Sequence, residues 1–372
     1  MSASNLPAAH GEPPAPRELP GAPLAAFVRR LPKAELHVHL EGAMPPATLL
    51  ALARRHQVGL PADDEGGLER WFRFRDFEHF VEIYLAISAC LREPEDFHRL
   101  ALDFVAGQAR QGVVYTEAHF TVSTHVANGA DGAGLLDALA DAAAEGERRF
   151  GSALRLVPDV VRNMGTDRAD LTFEWAAAAR ERRLAVALGL AGIERGHSPA
   201  PFAPHFAAAA EAGLHRVAHA GEHDGADSVR AVIEHCAPER IGHGVRAVED
   251  PALLAELAAN GLPLEVCPTS NVRLGVYGSI EEHPFDRLRR AGVALTVNSD
   301  DPPLFGTTLE DEYLRLAAAF GYGPSDLAVL ARASFRHSFL PEPERERREL
   351  EVERAAADLG EELFGAAVAI MD

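Results

Sequence analysis

The chain has 372 residues, with 56 acidic against 36 basic side chains and a formal net charge of -20. A surface that neutralises nucleic-acid phosphates or anionic lipid headgroups must be locally basic, so this balance argues against both partners. Hydrophobic residues at 47% and charged residues at 25% are ordinary for a globular chain and exclude disorder as its main state.

Residues 1–22 read as a flexible Pro-rich tail, followed by a single domain over 23–372. The first 25 residues hold no uninterrupted apolar core of signal-peptide length, and no stretch reaches about 18 apolar residues. Cys90, Cys236 and Cys267 lie far apart and include no CxxC spacing. A cytoplasmic protein is the expectation. Lys33 is the one lysine of the chain; every other basic side chain is arginine.

A short helix is expected over 24–31. Then one unit recurs: a short apolar run, a polar or Gly-containing turn, and an Ala/Leu/Glu/Arg-rich segment with helical periodicity. The apolar runs are 34–40, 113–120, 154–161, 184–190, 215–219, 240–243, 262–266 and 293–298. Helical segments at 94–111, 134–149, 170–183, 199–212, 227–236, 251–260 and 284–291 separate them. This alternation predicts parallel strands with right-handed crossovers, and eight strands close a (β/α)₈ TIM barrel. The longest gap, between the first two runs, holds the aromatic segment 71–84. It is read as extra helices inserted after strand 1 that cover the barrel mouth. Residues 326–372 are read as C-terminal helices packed outside the barrel.

Catalytic groups of such barrels sit at the C-terminal ends of the strands. The first run ends in His37-Val38-His39, and i, i+2 spacing puts both imidazoles on one face of a strand. The fifth ends in His219-Ala220-Gly221-Glu222, the sixth in His243-Gly244, and the eighth is followed by Ser299-Asp300-Asp301. Three histidines and one aspartate, His37, His39, His219 and Asp300, make a ligand set for one divalent ion, Zn²⁺ above others. Such an ion supplies hydroxide near neutral pH, and the reaction then needs an acid and a base. Glu222 and His243 are the candidates. Asp301 is expected to turn away from Asp300 and to receive a substrate donor.

These residues lie in segments that resemble the adenosine deaminase family. The segments are Leu36-His37-Val38-His39-Leu40-Glu41-Gly42, His219-Ala220-Gly221-Glu222, Arg240-Ile241-Gly242-His243-Gly244, Glu265-Val266-Cys267-Pro268-Thr269-Ser270-Asn271 and Asn298-Ser299-Asp300-Asp301-Pro302. Leu190-Ala191-Gly192 agrees as well. The resemblance implies hydrolytic deamination of a 6-aminopurine nucleoside, adenosine or 2′-deoxyadenosine, at a site holding one zinc ion. It implies that Glu222 protonates ring nitrogen N1. His243 would deprotonate the attacking water or stabilise the hydroxide. Asp301 would bind near N7, and Gly192 would bring backbone close to N3.

Glu41 stands where well-known adenosine deaminases have an aspartate on the ribose 5′-hydroxyl, so the sugar end of the pocket is expected to differ. Adenine and 6-aminodeoxyfutalosine, an adenine nucleoside whose far end is a benzoate-like anion, are the alternative substrates. A non-catalytic purine-binding relative is a remote third reading. A binuclear amidohydrolase would need a lysine in strand four, and residues 184–190 contain none. Oligomeric state is not legible.

Overall fold

The computed structural model describes residues 21–370. The expected tail over 1–22 lies, apart from its last two residues, outside them.

Eight strands run β1 (Lys33–His39), β2 (Val113–Phe120), β3 (Ala153–Val161), β4 (Ala187–Ala191), β5 (His215–Ala220), β6 (Arg240–His243), β7 (Leu264–Val266) and β8 (Leu295–Val297), hydrogen-bonded in chain order. Every neighbouring pair is parallel. Helices lie outside, and the strands are buried from both faces, as a closed α/β barrel requires. The fold is the TIM barrel expected from the sequence.

The seam between β8 and β1 is closed largely without a backbone ladder. Asn298 Oδ1 accepts from the backbone N–H groups of Leu36 (2.9 Å) and His37 (3.1 Å). Beyond it, His39 N–H donates to the Asp300 carbonyl at 2.8 Å, and Asp300 N–H to the His37 carbonyl at 3.1 Å. The carboxylate candidate Asp300 is thus bonded to the backbone of both β1 histidines.

The insertion after β1 is made of extra helices, as expected. Helices Pro46–His56, Glu65–Trp71 and Phe77–Ser88 precede the crossover helix Pro94–Arg110. Asp64 and Asp76 accept from the Gly67 and His79 N–H groups at the starts of the second and third, which is ordinary N-cap chemistry. At the C-terminus, Pro324–Arg336 lies across β8 and β1, and Glu342–Phe364 packs on it from outside. No helix of the described residues is long and apolar enough to cross a membrane.

Candidate active site

The strand ends bring the expected residues together. His39 Nε2 lies 3.3 Å from His219 Nε2 and 3.4 Å from Asp300 Oδ1. His37 Nε2 lies 3.7 Å from the same oxygen, is buried, and has no hydrogen-bond partner. Burial, and then the neighbouring imidazoles, push His37 and His219 well below the ordinary histidine range. Burial lowers His39 as well. Neutral rings keep lone pairs. The two Nε2 atoms, 3.3 Å apart, converge where one ion could sit between them. That spacing is close to the edge of a tetrahedron with metal–nitrogen bonds of about 2.0–2.1 Å. His37, His39 and Asp300 form one of several groups here that could hold a metal ion.

The outer nitrogens fix two of the rings. His37 Nδ1 is 2.8 Å from Glu265 Oε2, and His219 Nδ1 is 2.9 Å from the Leu190 carbonyl. Both contacts place the proton on Nδ1 and turn the Nε2 lone pair inward. Glu265 is held in turn by Arg240, which also pairs with Glu117. Ser270 Oγ donates to Asp300 Oδ2 at 2.6 Å, leaving Oδ1 to face the imidazoles.

His243 sits on a directed chain of donors. Phe285 N–H donates to His283 Nδ1 (3.1 Å), His283 Nε2 to Asn271 Oδ1 (3.1 Å), and Asn271 Nδ2 to His243 Nδ1 (3.3 Å). Burial lowers His283 to about 3, so it stays neutral. The chain makes His243 Nδ1 an acceptor and leaves the proton on Nε2. That atom is 3.7 Å from Glu222 Oε1 and 4.0 Å from Asp300 Oδ2. His243 and Asp300 hold φ of +60° and +66°, a left-handed backbone that non-glycine residues enter at a cost.

Glu222 Oε2 contacts His223 Nδ1 at 3.0 Å, while buried Oε1 has no partner. Burial works to raise this carboxyl, but His223 and His243 outweigh it and bring it down to about 2. The turn that carries Glu222 is clasped by Glu194. Its Oε2 accepts from the backbone N–H of Glu222 (3.2 Å), His223 (2.8 Å) and Asp224 (2.9 Å), and its Oε1 from Gly221 and Ser228.

Asp301 does not turn away from Asp300 as expected. Burial raises its carboxyl well above the usual range, with the Asp300 carboxylate adding to the effect and in hydrogen-bonding contact. A Cβ on Gly42 would fall 1.6 Å from Asp301 Oδ1, so only glycine leaves that carboxyl its place. Glu41 is buried. Its Oε1 accepts from Thr121 N–H and contacts His125 Nε2, both at 2.9 Å, and Oε2 has no partner. Gly192 has φ of +91°, and a Cβ there would meet Asn163 Oδ1 at 2.5 Å.

Sequence reading misses His119, Asp159 and Glu194, and gives Glu265, which opens one of the resembling segments, no role of its own. His119 Nδ1 is 2.9 Å from Asp159 Oδ1, and its ring centroid lies 4.5 Å from that of His37. His119, next to last in β2, lies in register with His39, which was the available signal.

The family model of adenosine deaminase matches residues 32–354. This chain belongs to that family. It is 40% identical over 337 residues to an aminodeoxyfutalosine deaminase of Streptomyces coelicolor, covering 90% of this chain and 86% of the relative. It is 39% identical over 320 residues to an adenine deaminase of Cupriavidus necator, covering 86% and 91%. The adenine deaminase structure from Arthrobacter aurescens superposes with a TM-score of 0.82 at 32% identity, over 87% of this chain and 98% of that one. A B. ambifaria amidohydrolase structure with bound Zn gives a TM-score of 0.84 at 25% identity, over 94% and 100%. The family member described here is therefore a deaminase of purine-like substrates. The curated relatives reported carry the names of the two alternative substrates rather than of adenosine.

Proposed function

We propose that this family member deaminates the 6-amino group of a purine nucleoside with an extended 5′ arm, 6-aminodeoxyfutalosine, rather than adenosine. His37, His39, His219 and Asp300 would hold one divalent ion, zinc above others. When bound, such an ion lowers the pKa of a water and supplies hydroxide near neutral pH. The observation that carries deamination is the Glu222 carboxylate, buried beside that ligand set with Oε1 left without a partner; the choice of substrate is supported by the 40% identity to an aminodeoxyfutalosine deaminase.

Glu222 starts ionised, so it first takes the proton of the attacking water and then gives it to ring nitrogen N1. Protonation of N1 makes C6 electrophilic. His243 carries its proton on Nε2 and so donates a hydrogen bond to the attacking oxygen, the second of the two roles expected from the sequence. Asp301, kept protonated by burial, donates near N7. Gly192 leaves the backbone open beside N3. Glu41 Oε2 would meet the sugar end. Buried, unpaired Cys90, Cys236 and Cys267 fit a reducing, cytoplasmic setting, and residues 23–372 are read as one domain.

The test is ammonia release from adenosine, 2′-deoxyadenosine, adenine and 6-aminodeoxyfutalosine. The highest kcat/KM is expected on 6-aminodeoxyfutalosine. A preference for adenine would turn the reading to the free base, and no release from any of them would overturn deamination. Glu222→Gln should keep its metal and lose about 10²–10⁴ in kcat; near-normal turnover in the metal-loaded variant would remove the proton role.

A further inference from the structure

Beyond Glu41 and Asp301 the site meets an aromatic wall. Phe305 lies four residues past Asp301 and stacks on Phe80, with centroids 5.5 Å apart and planes at 14°. Phe74 meets Phe305 edge-on at 5.8 Å and Phe80 at 5.4 Å. Tyr84 continues the row, 6.2 Å from Phe80, and stands in the field of Glu41 and Asp301. The wall joins the insertion after β1 to the loop after β8, and it begins at the carboxyls of the site.

A cation stands on this wall. Arg273 Cζ lies 5.4 Å from the centre of the Phe74 ring. Arg273 ends the helix Pro268–Arg273, whose Ser270 and Asn271 hold Asp300 and His243, so it is fixed to the frame of the site. Its electrostatic neighbours are two further cations, Arg73 and Arg315. Arg273 Nε is buried without a hydrogen-bond partner, and Arg315 donates to the Gly306 carbonyl at 3.0 Å. Among the described residues none of the three forms an ion pair, although the chain has 20 more acidic than basic side chains. The buried Glu312 carboxyl lies in the field of Arg315, but Arg273 itself feels like charge from both arginines, and an anion relieves that repulsion.

We propose that Arg273, with Arg73 and Arg315 around it, binds an anionic group carried beyond the sugar of the substrate, and that the aromatic wall makes an aryl carboxylate the preferred form. The proposal rests on the nucleoside reading above. A guanidinium matches a carboxylate with two parallel hydrogen bonds, and rings at these spacings take an aryl group by stacking or edge contact. A 5′-phosphate would satisfy the arginines but leave the rings unused.

The experiment compares kcat/KM on 6-aminodeoxyfutalosine, its methyl ester, AMP, 5′-deoxyadenosine and adenine. The metal-loaded wild type and the variants Arg273→Ala and Arg273→Gln are used. The acid-to-ester ratio should be about ten to a hundred in the wild type and should fall toward one in both variants. A wild-type ratio near one, or a ratio that neither variant changes, overturns the subsite and leaves the nucleoside reading standing. AMP turned over faster than the aryl carboxylate overturns the preferred form. Turnover of adenine alone overturns the nucleoside reading and the subsite with it.

Discussion

Glu35, two residues before His37, is a buried carboxyl. Ser299 donates to its Oε1 through N–H (3.0 Å) and Oγ (2.5 Å), and Gln108 donates to its other oxygen. Burial outweighs these donors and pushes the carboxyl from 4.5 to about 7. The folded state therefore holds this proton more tightly than the unfolded chain does. Its contribution to stability is full below about pH 4.5 and is lost as pH rises through about 7. Lys33 acts in a later window, because burial brings it down to about 7 from 10.5. The unfolded chain then binds the extra proton, and stability rises with pH above about 7. Between pH 5 and 7 the Glu35 effect should dominate this pair. Glu35→Gln should gain stability over the wild type across that interval, by at most about 3 kcal/mol over the whole Glu35 window. Denaturant titrations of both proteins at pH 5 and pH 7 measure it, and equal pH slopes would contradict it. His37, His39, His219, Glu222, His243 and Asp300 were legible because each belongs to a strand end. The role of Glu265 and the presence of Asp159 were not, because each acts through an imidazole on another strand, 228 and 40 residues away in sequence.

The turn after β5 shows the same division one level up. Its motif residues were readable, but the turn's shape depends on Glu194, which follows β4. Backbone N–H groups from 221 to 224 converge on that one carboxylate, and Arg162 from the end of β3 donates to the His219 carbonyl. The segment carrying a ligand candidate and the proposed acid is therefore gripped from two neighbouring strands. Removing the acceptor leaves several amide donors without their partner and lets the Glu222 side chain drift, and small misplacements at a reacting centre are costly. Glu194→Ala should lower kcat about ten- to hundredfold with little change in KM, and Glu194→Asp should restore part of it. Steady-state kinetics with measured metal content check this; wild-type kcat in the alanine variant would remove the positioning role. Strand lengths were less legible for a related reason. Hydrophobic runs at 262–266 and 293–298 predicted longer strands than Leu264–Val266 and Leu295–Val297. Burial sets the run, whereas the ladder stops where side chains such as Asn298 take over the hydrogen bonds.

For the whole molecule, alternation of strand and helix made the barrel legible, while the manner of its closure was not. A seam held by an asparagine side chain and two backbone bonds at Asp300 leaves no hydrophobic signature. The ligand set proposed here lies around that seam: His37 and His39 from β1, Asp300 after β8, and His219 from β5 across the barrel. These groups are far apart in the unfolded chain, so an ion bound by all of them favours the folded state alone. At an ion concentration a thousand times its Kd, that preference is worth about 4 kcal/mol. With an unfolding entropy of about 2.1 cal/mol/K per residue, a chain of 372 residues would shift its melting temperature by about 5 °C. Chelation should therefore lower Tm by about that amount as well as abolish turnover, and added zinc should restore both. Scanning calorimetry on protein of verified metal content decides it. An unchanged Tm in metal-free protein would mean that the imidazole cluster and the closed seam hold without an ion, and that the four side chains are not its ligands.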